Sequence, residues 1–269
     1  MEDVLLVPTD PSLLEREKYK KLLFTILTYP KTHHELARER LEILQSVGVD
    51  ALLLGGDVTV DGVPILGKGT NSIVVKAYYK ERLVVLKILR LDASRASLET
   101  EAKILEYIKD RDIAPEPILY KDWFLIQEFI QGTLLGSFIN EDVYTYNKWE
   151  IETFLETLFK KAYLLDKLGV DHGELTRPNK HVIVLDDLDS RIIDFESASL
   201  KRTPKNLTSL YQYIFIRSPA SNYLRAIFGI KNMDEIVDIL SRYKKNRDED
   251  AFNEVLNTFR ENKLTPSKI

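Results

Sequence analysis

Acidic and amide side chains concentrate in one stretch, residues 171–199, with the sequence DHGELTRPNKHVIVLDDLDSRIIDFESAS. Two β-branched runs, 181–185 and 191–195, flank the turn-forming residues DDLDS. This pattern predicts a β-hairpin, because short apolar runs separated by Asp and Ser form strands joined by a turn. The midpoint of the predicted turn is Asp187.

A hairpin folded about that midpoint brings chemically useful side chains to its open end. Asp194 is expected beside Lys180, one residue from Asn179 and close to Glu174. Two carboxylates and an amide oxygen in one place suit a divalent cation or a reacting group. The alternative is that Asp194 and Glu174 are solvated loop charges paired with Arg177 or Lys180.

A second candidate is a glycine-rich segment that precedes a β-branched run. It does not fit a dinucleotide fingerprint, which opens into a helix, or a Walker loop, in which Gly-Lys is followed by Ser or Thr. It therefore predicts a turn between two antiparallel strands, either a backbone cover for phosphates or a plain hairpin turn. Its residues are Gly67, Lys68, Gly69, Thr70, Asn71, Ser72, Ile73 and Val74.

A third candidate is Lys87, in the middle of the apolar run LVVLKIL. Such a lysine usually points to solvent, and it needs an anion if it faces inward. Glu101, on the helix predicted next, is the expected partner, with Glu99 and Glu106 as rivals.

The remaining sequence indicates how these residues are positioned. Asp10-Pro11 predicts the start of a helix that ends before Pro30, and Thr32 with Glu35 predicts a capping box for a second helix. From residue 51 the pattern changes to short β-rich runs joined by turns, and beyond residue 132 it becomes mainly helical. Further helices are predicted at 94–109, 148–168, 206–217, 220–228, 233–245 and 248–262, and further strands at 118–120 and 123–128.

Composition sets limits on the class of protein. The chain has 269 residues, of which 44% are hydrophobic, so one or two globular domains are expected. The absence of cysteine excludes disulfides, thiolate metal sites and a cysteine nucleophile. A net charge of −4 gives no general reason to expect nucleic-acid binding. The apolar runs are short and no signal-peptide pattern is present, which predicts a cytoplasmic protein without a membrane partner.

In chain order, these segments resemble the signature motifs of protein kinases. GKGTNSIVV resembles the glycine-rich loop, VVLK the lysine strand, and TEAKIL the helix that supplies the glutamate partner. LIQEFIQG resembles the strand and hinge against which adenine docks. HGELTRPN resembles the HGDLxxxN catalytic loop, and IIDFE the DFG metal loop. The likeness covers residues from about 60 to 200 and is nearest to compact RIO-like and related archaeal-type Ser/Thr protein kinases.

The resemblance implies a role for each matched residue. Lys87 is expected to contact the phosphates of ATP while Glu101 holds it, and Glu174 is expected to orient the acceptor hydroxyl. Asp194 and Asn179 are the implied ligands of Mg²⁺ or Mn²⁺. The residues implied to bind the nucleotide are Gly67, Lys68, Gly69, Thr70, Asn71, Ser72, Val74, Lys87, Gln127 at the gatekeeper position, Glu128 and Ile130.

The implied fold is α+β and bilobal, with an antiparallel β N-lobe and a mainly helical C-lobe. Its expected divisions are an N-terminal helical extension over 1–60 that packs on or near the N-lobe, the N-lobe over 61–130 and the C-lobe over 131–269. The implied activity is transfer of the γ-phosphate of ATP to Ser or Thr hydroxyls of an unknown protein substrate and of the chain itself. Conceivable acceptors in the chain are Ser197, Ser199, Thr203 and Thr208.

Some features depart from the kinase pattern. Glu174 replaces aspartate, Ser72 replaces the third loop glycine, Glu196 replaces the DFG glycine, and no APE motif follows. A small-molecule phosphotransferase on the same fold and a nucleotide-binding pseudokinase or scaffold therefore remain alternatives. Lys180 and His181 have no role in the pattern.

Two further expectations concern single regions. His172 is expected to be a hydrogen-bonded structural histidine rather than a base. Residues 1–60 loosely resemble the winged-helix extension of some RIO-type kinases, which would be the one route to ribosome or RNA association. The simpler interpretation is a pair of helices that pack across the strand-rich part.

Overall fold

A computed structural model describes residues 4–260, and the chain divides into two compact units. Unit 1 contains the residues up to Glu106 together with 116–129, and unit 2 contains 107–115 together with the residues from Ile130 onward. Residues 4–60 and most of 61–130 therefore belong to the same unit.

Unit 1 is built on an antiparallel sheet. Its strands are β1 Leu5–Pro8, β2 Val49–Leu54, β3 Val58–Val60, β4 Val63–Ile65, β5 Gly67–Lys68, β6 Ser72–Tyr79, β7 Arg82–Leu89, β8 Pro117–Lys121 and β9 Phe124–Glu128. The main sheet has the order β1-β2-β6-β7-β9-β8, with β5 paired to β6, and β3 pairs with β4 as a separate ribbon. The N-terminal segment thus contributes two strands to the sheet as well as helices.

The N-terminal helices cover one face of this sheet. They are α1 Glu17–Leu27 and α2 His34–Val47. Leu23 and Leu41 on these helices belong to the same buried cluster as Val75, Leu86 and Ile126 on the central strands. Each strand sends alternate side chains to this face, which is why apolar residues recur at every second position. The two helices in the described part of residues 1–60 thus pack across the strands.

Two details of these helices differ from the sequence predictions. Asp10 does cap a helical turn, but this turn is a short 3₁₀ segment, Pro11–Glu15, and the extended backbone of Arg16 separates it from α1. The predicted capping box at Thr32 is wrong, because α2 begins one residue later. His33 is the N-cap, and its Nδ1 accepts the backbone N–H of Leu36 at 3.1 Å. An imidazole nitrogen thus does what a hydroxyl oxygen does at most N-caps.

One further helix, α3 Glu99–Tyr107, belongs to unit 1 except for its last residue. It is shorter than the predicted span of 94–109. The backbone N–H of Leu98, just before the helix, donates to the carbonyl of Asp122 at 2.9 Å. Glu101, Ala102 and Leu105 form its buried side.

Unit 2 is mainly helical. Its helices are α4 Leu135–Asn140, α5 Lys148–Lys167, α6 Asn206–Gln212, α7 Ser221–Phe228, α8 Met233–Asn246 and α9 Glu249–Asn257. A π-helical turn, Tyr213–Arg217, continues α6 and accounts for the longer helix predicted there. An aromatic cluster of Phe159, Tyr211, Phe215 and Phe259 lies in the core of this unit.

Unit 2 also contains a small antiparallel sheet of three strands, β10 Thr133–Leu134, β11 Val182–Val184 and β12 Ser190–Ile192. The described chain therefore combines antiparallel sheets with helices, in agreement with the predicted α+β class. Within residues 4–260, no helix has the length and apolar character needed to cross a membrane.

Candidate functional site

The most unusual polar contact in unit 1 is a buried ion pair. Lys87 lies on β7 and Glu101 on α3, and the Lys87 Nζ is 2.5 Å from the Glu101 Oε1. Their side chains are only 5% and 1% exposed. Glu101, rather than Glu99 or Glu106, is thus the partner of Lys87, as the sequence analysis expected. Removing two charges from water costs several kcal/mol per ion, so such a pair calls for an explanation beyond stability.

Lys87 lies on the face of the sheet that points away from the N-terminal helices. The strand register aligns Gly67, Val74, Lys87 and Leu125 across four neighbouring strands. Ile88, the next residue after Lys87, belongs to the core formed with α1 and α2. Because successive side chains alternate between faces, the four aligned positions share the opposite face. The glycine turn and Lys87 are therefore on one side of the sheet.

The glycine-rich segment forms the predicted turn between two antiparallel strands. The backbone N–H of Gly69 donates to the carbonyl of Ser72 at 2.9 Å and closes the turn. Arg90 donates from Nη1 to the carbonyl of Gly69 at 2.9 Å. The buried Asn71 accepts the backbone N–H of Ser94 through Oδ1 at 2.8 Å. The Asn71 side chain thus fixes the turn to the chain after β7, and Lys68 and Thr70 are the exposed residues of the turn.

Tyr29 also supports this turn, although no sequence motif points to it. The Lys68 Nζ donates to the Tyr29 hydroxyl at 2.8 Å and lies 4.6 Å from the centre of the ring. The Arg90 guanidinium lies 5.0 Å from the same ring. The N-terminal segment therefore positions a cationic side chain of the glycine turn. Nothing in the spacing of the sequence indicates this contact, which spans 39 positions.

Two of the three predicted adenine-binding residues, Gln127 and Glu128, lie at the end of β9. Gln127 pairs in register with Val85, two residues from Lys87 along β7, so it lies on the same face as Lys87. It is 5% exposed, and its Oε1 accepts no hydrogen bond from the described residues. The backbone N–H of Glu128 already donates to the carbonyl of Glu116 at 2.9 Å. Glu128 and the half-buried Ile130 are assigned to different units.

The predicted hairpin of unit 2 is confirmed. β11 and β12 pair with Val182 opposite Ile192, so the register centres on Asp187. The Lys161 Nζ, on α5, donates to the Asp189 Oδ1 at 2.6 Å and to the carbonyl of Ser190 at 2.5 Å. These bonds attach the closed end of the hairpin to the longest helix of the unit.

The open end of the hairpin carries Asp194. The backbone N–H of Ile193 donates to the carbonyl of His181 at 2.9 Å, and the His181 Nδ1 lies 3.7 Å from the Asp194 Oδ2. Asp194 has a left-handed backbone, with φ of 66°. Few residues other than glycine adopt this conformation, although aspartate tolerates it better than most, and it is frequent at functional sites. The Asp194 side chain is 38% exposed, which leaves its carboxylate accessible to a cation.

His172 is structural, as expected. It is fully buried, its Nε2 lies 3.1 Å from the carbonyl of Ile193, and its Nδ1 accepts the backbone N–H of Glu174 at 3.3 Å. These partners require the neutral tautomer with hydrogen on Nε2. Burial, helped by the nearby His181, lowers the pKa of His172 to about 4. The neutral His172 ring therefore links the Glu174 loop to the open end of the hairpin through its two hydrogen bonds.

Glu174 is held against a segment that follows the hairpin. The Ser197 hydroxyl donates to the Glu174 Oε1 at 2.8 Å. Gly173 has φ of 90°, and a Cβ there would lie 2.7 Å from the Arg202 Nη2 and 2.9 Å from the Ser197 carbonyl oxygen. Only glycine fits this close approach in this backbone conformation. The loop that presents Glu174 is thus packed tightly on residues 197–202.

Asn179 and Lys180 lie in the 3₁₀ turn Pro178–Lys180, and both are exposed. The Asn179 side chain hydrogen-bonds to Tyr213, which partly offsets the rise that burial causes in the pKa of that tyrosine. In the described part of the chain, no group of three or more His, Cys, Asp or Glu side chains forms a metal site. Mg²⁺ commonly uses one or two carboxylates together with substrate phosphates, so the oxygen donors of Asp194 and Asn179 suit it.

Comparison with known proteins finds sequence similarity over only part of the chain. No protein-family model matches the chain. An uncharacterised protein of the archaeon Methanocaldococcus jannaschii is 28% identical over 120 residues. The matched stretch is 44% of this chain and 98% of the archaeal protein. The similarity relates less than half of this chain to a protein whose name describes no activity.

Proposed function

We propose that the protein is a divergent, RIO-like protein kinase that transfers the γ-phosphate of ATP to Ser or Thr hydroxyls. Under this proposal, unit 1 corresponds to the N-lobe and unit 2 to the C-lobe of a bilobal kinase-like fold. Support comes from the order of the elements along the chain. The glycine turn, the lysine strand, the glutamate helix and the hairpin with Asp194 follow one another as the kinase motifs do.

The buried ion pair is the observation that carries the proposal. A lysine held at 2.5 Å by a buried glutamate has its ammonium fixed in position on the face shared with the glycine turn. A preorganised cation of this kind stabilises the charge on transferring phosphates. In this role Lys87 contacts the α- and β-phosphates of ATP, and Glu101 keeps it in place.

Under the same proposal, residues of unit 2 take the metal-binding and acceptor-orienting roles. Asp194 and Asn179 would hold Mg²⁺ or Mn²⁺ through oxygen atoms. A metal ion held there would supply positive charge to offset the charge of the phosphates. Glu174 orients the acceptor hydroxyl, a role for which its hydrogen bond from Ser197 provides a precedent in the structure. Glutamate is one methylene longer than the usual aspartate, and about 1 Å of misplacement can reduce the rate about 100-fold.

A direct test measures phosphate transfer from γ-labelled ATP with Mg²⁺ to an added acceptor protein such as casein. Lys87→Met and Asp194→Asn are expected to lower the rate by about 100-fold or more, because the first removes the ammonium that pairs with the phosphates and the second removes a carboxylate that would hold the metal ion. Lys20→Met is the control. Lys20 lies on α1 and pairs with Glu17 at the surface, and its loss should leave transfer unchanged.

Equal transfer by the wild type and the Lys87 and Asp194 variants would contradict the proposal, since the activity would then belong to a contaminant. Mg²⁺-dependent ADP formation with small alcohols but not with proteins would support the small-molecule phosphotransferase instead. Nucleotide binding without transfer to any acceptor would support the pseudokinase.

A further inference from the structure

One contact places a hydroxyl of the chain on its own candidate catalytic carboxylate. Ser197 ends the 3₁₀ turn Phe195–Ser197 that follows Asp194, and its Oγ donates to the Glu174 Oε1 at 2.8 Å. An acceptor hydroxyl must lie about 2.6–3.2 Å from the group that takes its proton. The Ser197 Oγ meets this requirement.

The surrounding contacts hold Ser197 in this position. The Arg202 Nη2 donates to the Ser197 carbonyl at 2.6 Å, and the Arg202 Nε donates to the Asp171 Oδ2 at 2.6 Å. Asp171 and Ser199 exchange backbone hydrogen bonds at 3.0 and 2.9 Å. The segment is thus attached to the Glu174 loop on both sides of Ser197. A reactant fixed in this way has the advantage of a high effective concentration.

Two of the other three candidate hydroxyls have different partners. The Ser199 Oγ accepts the backbone N–H of Lys201 at 3.1 Å. The Thr208 Oγ1 donates to the carbonyl of Lys205 at 3.1 Å, and Thr208 is buried. Among the four conceivable acceptors that the sequence suggested, Ser197 is therefore the one that bonds to Glu174.

We infer that Ser197 is a site of phosphorylation by the chain itself, an inference that rests on the proposed kinase function. The Ser197 Oγ attacks the γ-phosphorus of ATP, and a new O–P bond forms. The bond between the γ-phosphorus and the β–γ bridging oxygen breaks, and ADP leaves with that electron pair. The hydroxyl proton passes to the Glu174 carboxylate and then to water, so atoms and charge balance.

Phosphorylated Ser197 would lie beside a cationic side chain, the guanidinium of Arg202. Phosphoserine at this position carries about two negative charges and repels the Glu174 carboxylate. The Arg202 guanidinium, already bonded to the Ser197 carbonyl, can pair with the phosphate. The reaction therefore breaks the hydrogen bond between Ser197 and Glu174.

The test uses the full chain with γ-labelled ATP and Mg²⁺, followed by mapping of the phosphorylated residue by mass spectrometry. We expect one phosphate on Ser197, and a rate constant that stays the same over a 100-fold range of protein concentration because the reaction is intramolecular. Ser197→Ala should lower incorporation by at least 10-fold. Ser199→Ala, two residues away, is the matched control and should incorporate phosphate as the wild type does.

A second readout does not depend on activity. If the 2.8 Å contact forms, Glu174→Ala and Ser197→Ala have a coupled effect on the melting temperature. The shift in the double variant should then differ from the sum of the shifts in the single variants. Additive shifts would mean that the contact on which the inference rests is absent.

The failure of this inference differs from the failure of the proposed function. Transfer to casein with no phosphate on Ser197 would overturn the inference and leave the kinase proposal standing. Phosphate on Ser197 with a rate constant proportional to protein concentration would overturn transfer within one chain. If the wild-type protein transfers phosphate to no acceptor, casein included, both the inference and the kinase proposal are overturned.

Discussion

At the scale of single residues, the Lys87–Glu101 pair is not expected to increase the free energy of unfolding. Two charges that are 5% and 1% exposed have given up most of their hydration. Their mutual attraction repays this cost only with very good geometry, and replacement of such pairs by apolar residues is often neutral or stabilising. If the pair serves phosphate binding, removal of both charges together should cost the protein little stability.

We therefore predict opposite results for single and double substitutions. Glu101→Leu alone leaves a buried ammonium without its carboxylate and should lower the free energy of unfolding by about 3–5 kcal/mol. The double variant Lys87→Met/Glu101→Leu should recover most of that loss and still fail to transfer phosphate. Urea unfolding of the three proteins measures the stabilities.

The control for this prediction lies on the same helix. Glu99 forms a surface ion pair with Lys103 and is 48% exposed, so Glu99→Leu should change stability by less than about 1 kcal/mol. A double variant as unstable as Glu101→Leu would mean that the pair has a structural role that apolar side chains cannot fill.

At the scale of elements, one buried carboxylate joins three helices of unit 2. Asp166, near the end of α5, accepts the backbone N–H and the side-chain amide of Asn206 at 2.9 and 2.8 Å, at the start of α6. Its other oxygen accepts the hydroxyl of Tyr243, on α8, at 2.8 Å. Burial raises the pKa of Asp166 to about 6, although these donors oppose the rise. The carboxylate is thus ionised at neutral pH and depends on its donors.

Tyr243→Phe removes one donor to this ionised carboxylate without changing the packing of the ring. We predict a loss of about 1.5–3 kcal/mol in the free energy of unfolding at pH 7.5, the usual contribution of a hydrogen bond to a charged group. This loss is measured by urea unfolding, with the far-UV circular dichroism of the helices as the signal.

Tyr163→Phe is the control for that experiment. The Tyr163 ring lies 6.3 Å from the Tyr243 ring and stacks on Phe252, and the variant should stay within about 0.5 kcal/mol of the wild type. Equal stability of both variants would show that the Tyr243 hydroxyl contributes nothing to holding α8 against α5.

The elements also show which features the sequence alone could predict. The hairpin about Asp187 was predictable, because its strands and turn are adjacent in the chain and their residue types agree. The N-cap of α2 was not, because Thr32 and His33 offer competing acceptors and only the backbone decides between them. The contacts of Asp166 with Asn206 and of Lys68 with Tyr29 join residues 40 and 39 positions apart. Contacts this distant depend on tertiary packing, which leaves no periodic signal in the sequence.

In the candidate site, too, contacts between neighbouring elements could be predicted from the sequence and contacts set by tertiary packing could not. Glu101 could be anticipated as the partner of Lys87 because the strand is followed directly by a helix with glutamates. The choice of Glu101 over Glu99 and Glu106 needed the helix orientation. The contact between Glu174 and Ser197 could not be anticipated, because it depends on the close approach allowed by Gly173 and on the bonds made by Arg202.

At the scale of the whole molecule, two buried groups make stability depend on pH in opposite directions. The pKa of His172 is lowered from 6.5 to about 4, mainly by burial. Its contribution to stability is complete above pH 6.5 and is lost as the pH falls toward 4. The pKa of Asp166 is raised from 3.8 to about 6, so its contribution is complete below pH 3.8 and is lost as the pH rises through 6. Acidification from pH 7 to 5 thus removes the stabilising contribution of His172 and adds that of Asp166.

A histidine variant separates the two effects. From pH 7 to 5, the His172 contribution should fall by about 2 kcal/mol, since each unit of pKa difference corresponds to about 1.4 kcal/mol. The Asp166 contribution should rise by about 1 kcal/mol over the same range. The wild type should therefore lose stability on acidification, whereas His172→Gln should gain it relative to its own value at pH 7. Urea unfolding at the two pH values measures both changes, and parallel changes in the two proteins would show that His172 titrates in the folded state as it does in the unfolded chain.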